Sequence, residues 1–213
     1  MINVLAYADD LVLCAPSWLA LQQLLNVLSV HIKDINMTCN VNKSVCMVFE
    51  PQDRKKVVAK HFSSFQIDGT KLKFVDKFKY LDHVLKYDMS DDDDMLREVR
   101  NMFYRSNILV RKFAKCSRHV KLMLFKSYCI NLYGIALWKD YKASSLLTIK
   151  SCYHRCIKIF FGFDRHYSVT NMLLELGLPS FNTILANNIA LLDLAKSNCN
   201  NTMVQYSCKV LGF

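Results

Sequence analysis

Hydrophobic and polar positions follow two regimes along the chain. The first covers roughly the first 88 residues and consists of short, strand-like apolar runs broken by polar turns. Met1 to Tyr7 is a nearly continuous apolar run, Ala8-Asp9-Asp10 breaks it, and Leu11-Val-Leu-Cys-Ala15 resumes it. Two such runs about a short break predict a buried hairpin. After Pro16 and the N-cap candidate Ser17, the residues Trp18, Leu21, Leu25, Leu28, Ile32 and Ile35 step by three and four, the spacing of an amphipathic helix laid on a sheet. Val45 to Phe49 reads as a short strand and Pro51 to Lys60 as a loop or frayed helix. Phe65 to Phe74 reads as a hairpin about Asp68-Gly69, and Phe78 to Leu85 as a further strand.

The second regime is helical. Ser90 is placed to cap a helix whose first turn, Asp91 to Asp94, sets four carboxylates against the positive end of the helix dipole. Consecutive helical residues fan around the axis, which disfavours a metal site there. Further helices are predicted for Val120 to Trp138, Ser144 to Phe161, Val169 to Leu176 and Asn182 to Ser197, with Gly162 and Gly177-Leu178-Pro179 as stops. The expected class is therefore α+β, with an α/β part over residues 1–89 and an all-helical part over residues 90–213.

Composition narrows the class. With 52% hydrophobic residues, 5 Gly and 3 Pro in 213 residues, collagen-like, low-complexity and disordered chains are excluded. Nine scattered cysteines without a CxxC pair fit reduced thiols in the cytoplasm or nucleus, and no signal peptide is evident. The uncharged stretches Leu11 to Val30 and Leu176 to Leu192 are interrupted by Pro, Gln and Asn, so both are read as soluble core segments and no membrane partner is expected.

Charge adds a location. Residues 95–126 carry nine Lys/Arg against Glu98 alone, whereas residues 1–94 carry 11 against 13 acidic residues. On a helical wheel Arg97, Arg100, Tyr104, Arg111 and Lys115 fall within an arc of roughly 60°, and Val99, Phe103, Ser106, Val110 and Phe113 lie opposite. One face suits packing and the other suits phosphates and sugars. A solvated helix face would carry the same charges.

Asp9-Asp10 is the other chemical signal. Carboxylates at a hairpin tip between apolar strands are costly unless a divalent cation compensates them, while a plain surface turn explains the pair equally. Cys152 and Cys156 share a helix face that turns His154 away, as ordinary core cysteines do.

The string Tyr7-Ala8-Asp9-Asp10, set in Asn3-Val-Leu-Ala-Tyr-Ala-Asp-Asp-Leu-Val-Leu, resembles the active-site hairpin of reverse transcriptases of non-LTR (LINE-type) retrotransposons. Asn40-Val-Asn-Lys43-Ser44 followed by Cys46-Met-Val-Phe49 is similar to the family's N-x-x-K-[TS] segment, and Phe78-Lys-Tyr80-Leu81-Asp82 to its primer-grip hairpin. The basic helix and the stretch from Cys116 to Trp138 are similar to its thumb. The resemblance implies RNA-directed DNA polymerisation with two Mg²⁺ ions. Asp9 would bind metal directly and Asp10 assist it, Tyr7 and Ala8 would flank the primer end, and Lys43 would face nucleotide phosphates. Tyr80 and Leu81 would hold the primer, and Arg97, Arg100, Tyr104, Arg111 and Lys115 would track an RNA template paired with a DNA primer. The family's fingers and a further metal-binding Asp of an earlier palm strand are expected to be missing, and Asp82 replaces the usual Gly of Y-L-G. The chain alone is therefore expected to be inactive. The alternative is a non-catalytic nucleic-acid-binding remnant or a co-opted interaction protein.

Overall fold

The computed structural model describes residues 3–50, 63–202 and 204–206, so the loop expected over Pro51 to Lys60 lies outside the described residues. The protein is α+β and divides into two compact units, Met1–Phe78 with Lys86–Met89, and Lys79–Leu85 with Ser90–Phe213.

In the first unit, β1 (Val4–Tyr7) and β2 (Asp10–Leu13) pair antiparallel, with Tyr7 opposite Asp10. This hairpin is not buried, contrary to the sequence pattern. Val4, Leu5, Tyr7 and Leu11 all face solvent, because among the described residues its sheet has no third strand and no layer covering both faces. Helix α1 (Trp18–Asp34) begins where expected, the Ser17 hydroxyl accepting the Ala20 N–H at 3.3 Å. Leu25 is its buried residue and packs with Cys46, Phe65, Ile67 and Leu72. The strand expected over Val45 to Phe49 shortens to β3 (Val45–Cys46), which pairs in parallel with β6 (Lys73–Phe74). Between them in sequence, β4 (Gln66–Ile67) and β5 (Thr70–Lys71) close around Asp68 (φ 51°) and Gly69 (φ 76°), the turn a D-G pair favours. Trp18 stacks on Phe65 at 5.8 Å and donates its indole N–H to the Ser63 carbonyl at 2.8 Å, tying α1 to this hairpin.

The segment read as one strand over Phe78 to Leu85 is a hairpin, β7 (Lys77–Tyr80) and β8 (His83–Lys86), turning at Leu81-Asp82. Its tip, Lys79–Leu85, belongs to the helical unit.

That unit contains α2 (Asp92–Phe113), α3 (Arg118–Phe125), α4 (Ala143–Phe161), α5 (Val169–Leu176) and α6 (Phe181–Ser197). Its core gathers Met95, Val99 and Met102 of α2, Phe125, then Ile149, Tyr153, Cys156 and Phe160 of α4, with Met172 and Phe181. Gly162 (φ 78°) and Gly177 (φ 59°) end α4 and α5 in the left-handed conformation predicted for helix stops. The helix expected over Val120 to Trp138 does not run through. After α3 the chain makes a π turn, Lys126–Ile130, and reaches a 3₁₀ turn, Ile135–Leu137, through Gly134 (φ 75°). Helix α6 buries Phe181 and Ile184 but leaves Ile189, Leu191 and Leu194 exposed, so the second uncharged stretch is core only in its first half. Among the described residues, no helix is long and apolar enough to cross a membrane.

Candidate functional site

The Tyr7-Ala8-Asp9-Asp10 string forms a two-residue hairpin turn in the first unit. Antiparallel pairing of Tyr7 with Asp10 leaves only Ala8 and Asp9 to reverse the chain, and Ala8 does so at φ 52°. That region favours glycine, so an alanine there stores about 1 kcal/mol of strain. The Asp9 and Asp10 side chains are exposed and engage no hydrogen bond or ion pair among the described residues. Two free carboxylates offer the hard oxygens that Mg²⁺ prefers, with waters and phosphates filling the other positions, so this donor set fits the ion. Among the described residues, no three His, Cys, Asp or Glu side chains are grouped to hold a metal. Lys43 is exposed at the end of a turn that Asn40 closes, its carbonyl accepting the amides of Lys43 and Ser44 at 3.1 Å.

The second hairpin tip also reverses the chain in two residues, with different backbone geometry and chemistry. Leu81 (φ 44°) and Asp82 (φ 66°) are both left-handed, as a two-residue turn of this hand requires. The Asp82 carboxylate lies 2.6 Å from Lys79 Nζ, which lowers its pKa and offsets its negative charge. Tyr80 is half-buried and Leu81 exposed.

Asp94 anchors this tip. It is 2% exposed, and its Oδ1 accepts the Val84 amide at 2.8 Å and Arg97 Nε at 2.7 Å. Its Oδ2 accepts the Trp138 indole N–H at 2.8 Å and lies 3.2 Å from His83 Nδ1. Because a carboxylate only accepts, that nitrogen carries the hydrogen. Burial alone would raise the Asp94 pKa, but the hydrogen bonds from Arg97, Trp138, Val84 and His83 outweigh it and hold the pKa down at about 2.

The basic face of α2 divides accordingly. Arg100, Tyr104 and Arg111 are exposed, whereas Val99 and Ser106 are buried and Phe103, Val110 and Phe113 pack on the core. Lys115, expected on the same stripe, is exposed in the turn after the helix ends at Phe113. Arg97 leaves the stripe. Its guanidinium binds Asp94 and, at 3.0 Å, Glu98, which is fully buried and also takes Asn101 and Arg105. Glu98, counted in sequence as the lone acid of a basic run, is thus the centre of an ion network. The 94-98-101-105 spacing places these side chains on one helical face and was the available signal.

The Asp run also does more than complement the dipole. Asp91 Oδ2 accepts the amides of Lys139 and Asp140 at 2.7 and 2.9 Å, and Asp92 Oδ1 accepts the Lys142 amide and the Ser145 hydroxyl at 2.9 and 2.6 Å. These carboxylates cap α4's approach from across the unit. In α4, Cys152 and Cys156 are buried with their sulfurs 4.0 Å apart, as core cysteines. An open groove of about 640 Å³ beside α1 is lined by Trp18, Gln22, Lys33, Gln66 and Asp68 and holds none of the candidate residues. Its polar groups largely satisfy one another, as Gln22 does with the Gln66 backbone and Lys33 with Asp68.

No family model, curated protein or solved structure matches this chain.

Proposed function

We propose that this chain is the C-terminal palm and thumb portion of a non-LTR retrotransposon reverse transcriptase, and that it holds an RNA template paired with a DNA primer. The observation that carries this reading is the split of α2, whose one face is sealed in the core while Arg100, Tyr104 and Arg111 stay exposed on the other, with Lys115 exposed just past its C-terminus. Such a face follows a phosphate backbone without reading its sequence. Asp9 and Asp10, exposed at a strained turn, are the residues that would hold Mg²⁺, with Asp9 the direct ligand. Bound there, the ions of the complete family site activate the primer hydroxyl and stabilise the departing pyrophosphate. Lys43 takes nucleotide phosphate, Tyr7 and Ala8 flank the primer end, and Tyr80 and Leu81 support the primer strand. Arg97 is a positioning residue, because its guanidinium is committed to Asp94 and Glu98. The free thiols among the described cysteines suit a cytoplasmic or nuclear setting.

A salt titration of RNA–DNA hybrid binding tests the reading. The chain is expected to bind weakly, with log affinity falling linearly in log salt. Replacing Arg100, Arg111 and Lys115 together by Ala should lower the magnitude of that slope by about 2 to 3. Affinity and slope left unchanged by the triple variant would overturn it.

A further inference from the structure

We propose that Tyr133, backed by His83, is a stacking platform for one unpaired nucleobase of a bound nucleic acid. The proposal rests on the nucleic-acid reading of the helical unit and adds a subsite to it. Tyr133 is 54% exposed, yet its ring stacks on the His83 imidazole, with centroids 4.8 Å apart and planes 25° from parallel. Tyr104 and Tyr128 of the same unit are as exposed but have no stacked ring among the described residues.

The support beneath Tyr133 is fixed from two sides. His83 is only 17% exposed and gives its Nδ1 hydrogen to Asp94, which sets the plane of the ring. Its Cε1 edge fills the space that Gly134 leaves open, where a Cβ would come within 1.7 Å of that carbon. Gly134 also has φ 75°, so the residue beside Tyr133 is one whose backbone and missing side chain both serve the seating of His83. The π turn at Lys126–Ile130 interrupts the helix before Tyr133, and such turns recur at binding sites. The result is an aromatic ring held rigidly in solvent, in a unit whose exposed cationic face suits phosphates. A rigid aromatic surface binds a base by its π face, tolerant of its identity.

The test uses an RNA–DNA hybrid with a single-stranded overhang carrying one 2-aminopurine, whose fluorescence drops on aromatic stacking. The wild-type chain should quench it on binding, and Tyr133→Phe should quench equally. Tyr133→Leu should abolish the quench and weaken binding about tenfold, leaving the salt slope unchanged. His83→Ala should reduce the quench with the helical fold retained by circular dichroism, whereas Tyr128→Leu should leave it intact. A Tyr133→Leu variant that quenches like wild type overturns the platform. So does a wild-type chain that binds with a normal salt slope and never quenches, an outcome that leaves the nucleic-acid reading standing. A wild-type chain that does not bind the hybrid overturns both.

Discussion

The two hairpin tips are built alike and held differently. Each joins two four-residue strands through a two-residue turn, and each places a non-glycine residue in the left-handed region, Ala8 at φ 52° in one, Leu81 and Asp82 at φ 44° and 66° in the other. At the first tip the carboxylates of Asp9 and Asp10 are unengaged and the flanking apolar side chains stand in solvent. At the second, Lys79 neutralises Asp82, and Asp94 fixes the following strand through Val84 and His83. Free carboxylates are suited to a cation brought by a substrate. A neutralised tip anchored to a helix is suited to bearing on a phosphate backbone without repelling it. The contrast therefore matches the different roles proposed for the two tips, metal binding and primer support.

The largest break of this contrast is expected at Asp94. Asp94→Ala leaves the Trp138 indole, the His83 ring and the Arg97 guanidinium without their buried acceptor, and should cost the helical unit about 3 to 5 kcal/mol in urea unfolding. The same residue predicts an acid limb. Its folded pKa of about 2 lies below the ordinary 3.8, so its contribution is complete above pH 4 and is lost as pH falls toward 2. The Asp94→Ala variant should lack that part of the pH dependence.

Next in size is Gly134→Ala, which meets the His83 ring and forces an alanine to φ 75°. A loss of about 2 to 3 kcal/mol is expected. Combining it with His83→Ala should relieve the clash and leave about 1 kcal/mol of backbone strain relative to His83→Ala alone, a coupling that a double-mutant cycle measures. A single-variant loss that the second substitution does not relieve would separate Gly134 from the hairpin anchor.

Ala8→Gly should move the other way. Relief of the left-handed alanine is expected to stabilise the first hairpin by up to about 1 kcal/mol, seen as slower amide exchange across β1 and β2. The smallest effect belongs to the charge of the first tip itself. Asp9→Ala should change stability by less than about 0.5 kcal/mol, because its side chain is exposed and engages no partner among the described residues. A larger loss for Asp9→Ala would mean that the first tip is anchored after all.

Much of the secondary structure was legible from local pattern. Ser17, the Asp68-Gly69 turn, Gly162 and Gly177 each end or begin an element for reasons confined to a few neighbouring residues, and helices α4, α5 and α6 start and stop within one residue of expectation. The apolar face of α2 was legible too, since a wheel needs no partner to be drawn. The exposure of the first hairpin was not, because an apolar run reports what could be buried and not whether a covering layer exists. Nor was the fate of Arg97, which a wheel places among the exposed cations and Asp94 and Glu98 draw aside.

By itself, then, the sequence determined the α+β class, the limits of α4, α5 and α6, the position of the Asp9-Asp10 turn and the one-sided basic face, all set by spacing and by the backbone preferences of glycine, serine and aspartate. Only the tertiary structure decided that Asp91, Asp92 and Asp94 bind groups some fifty residues away, that Glu98 is buried among arginines, and that Gly134 makes room for His83 beneath Tyr133. Those pairings depend on which donors the fold brings to a buried acceptor, and a carboxylate out of water takes the partners it is given, whatever their distance along the chain.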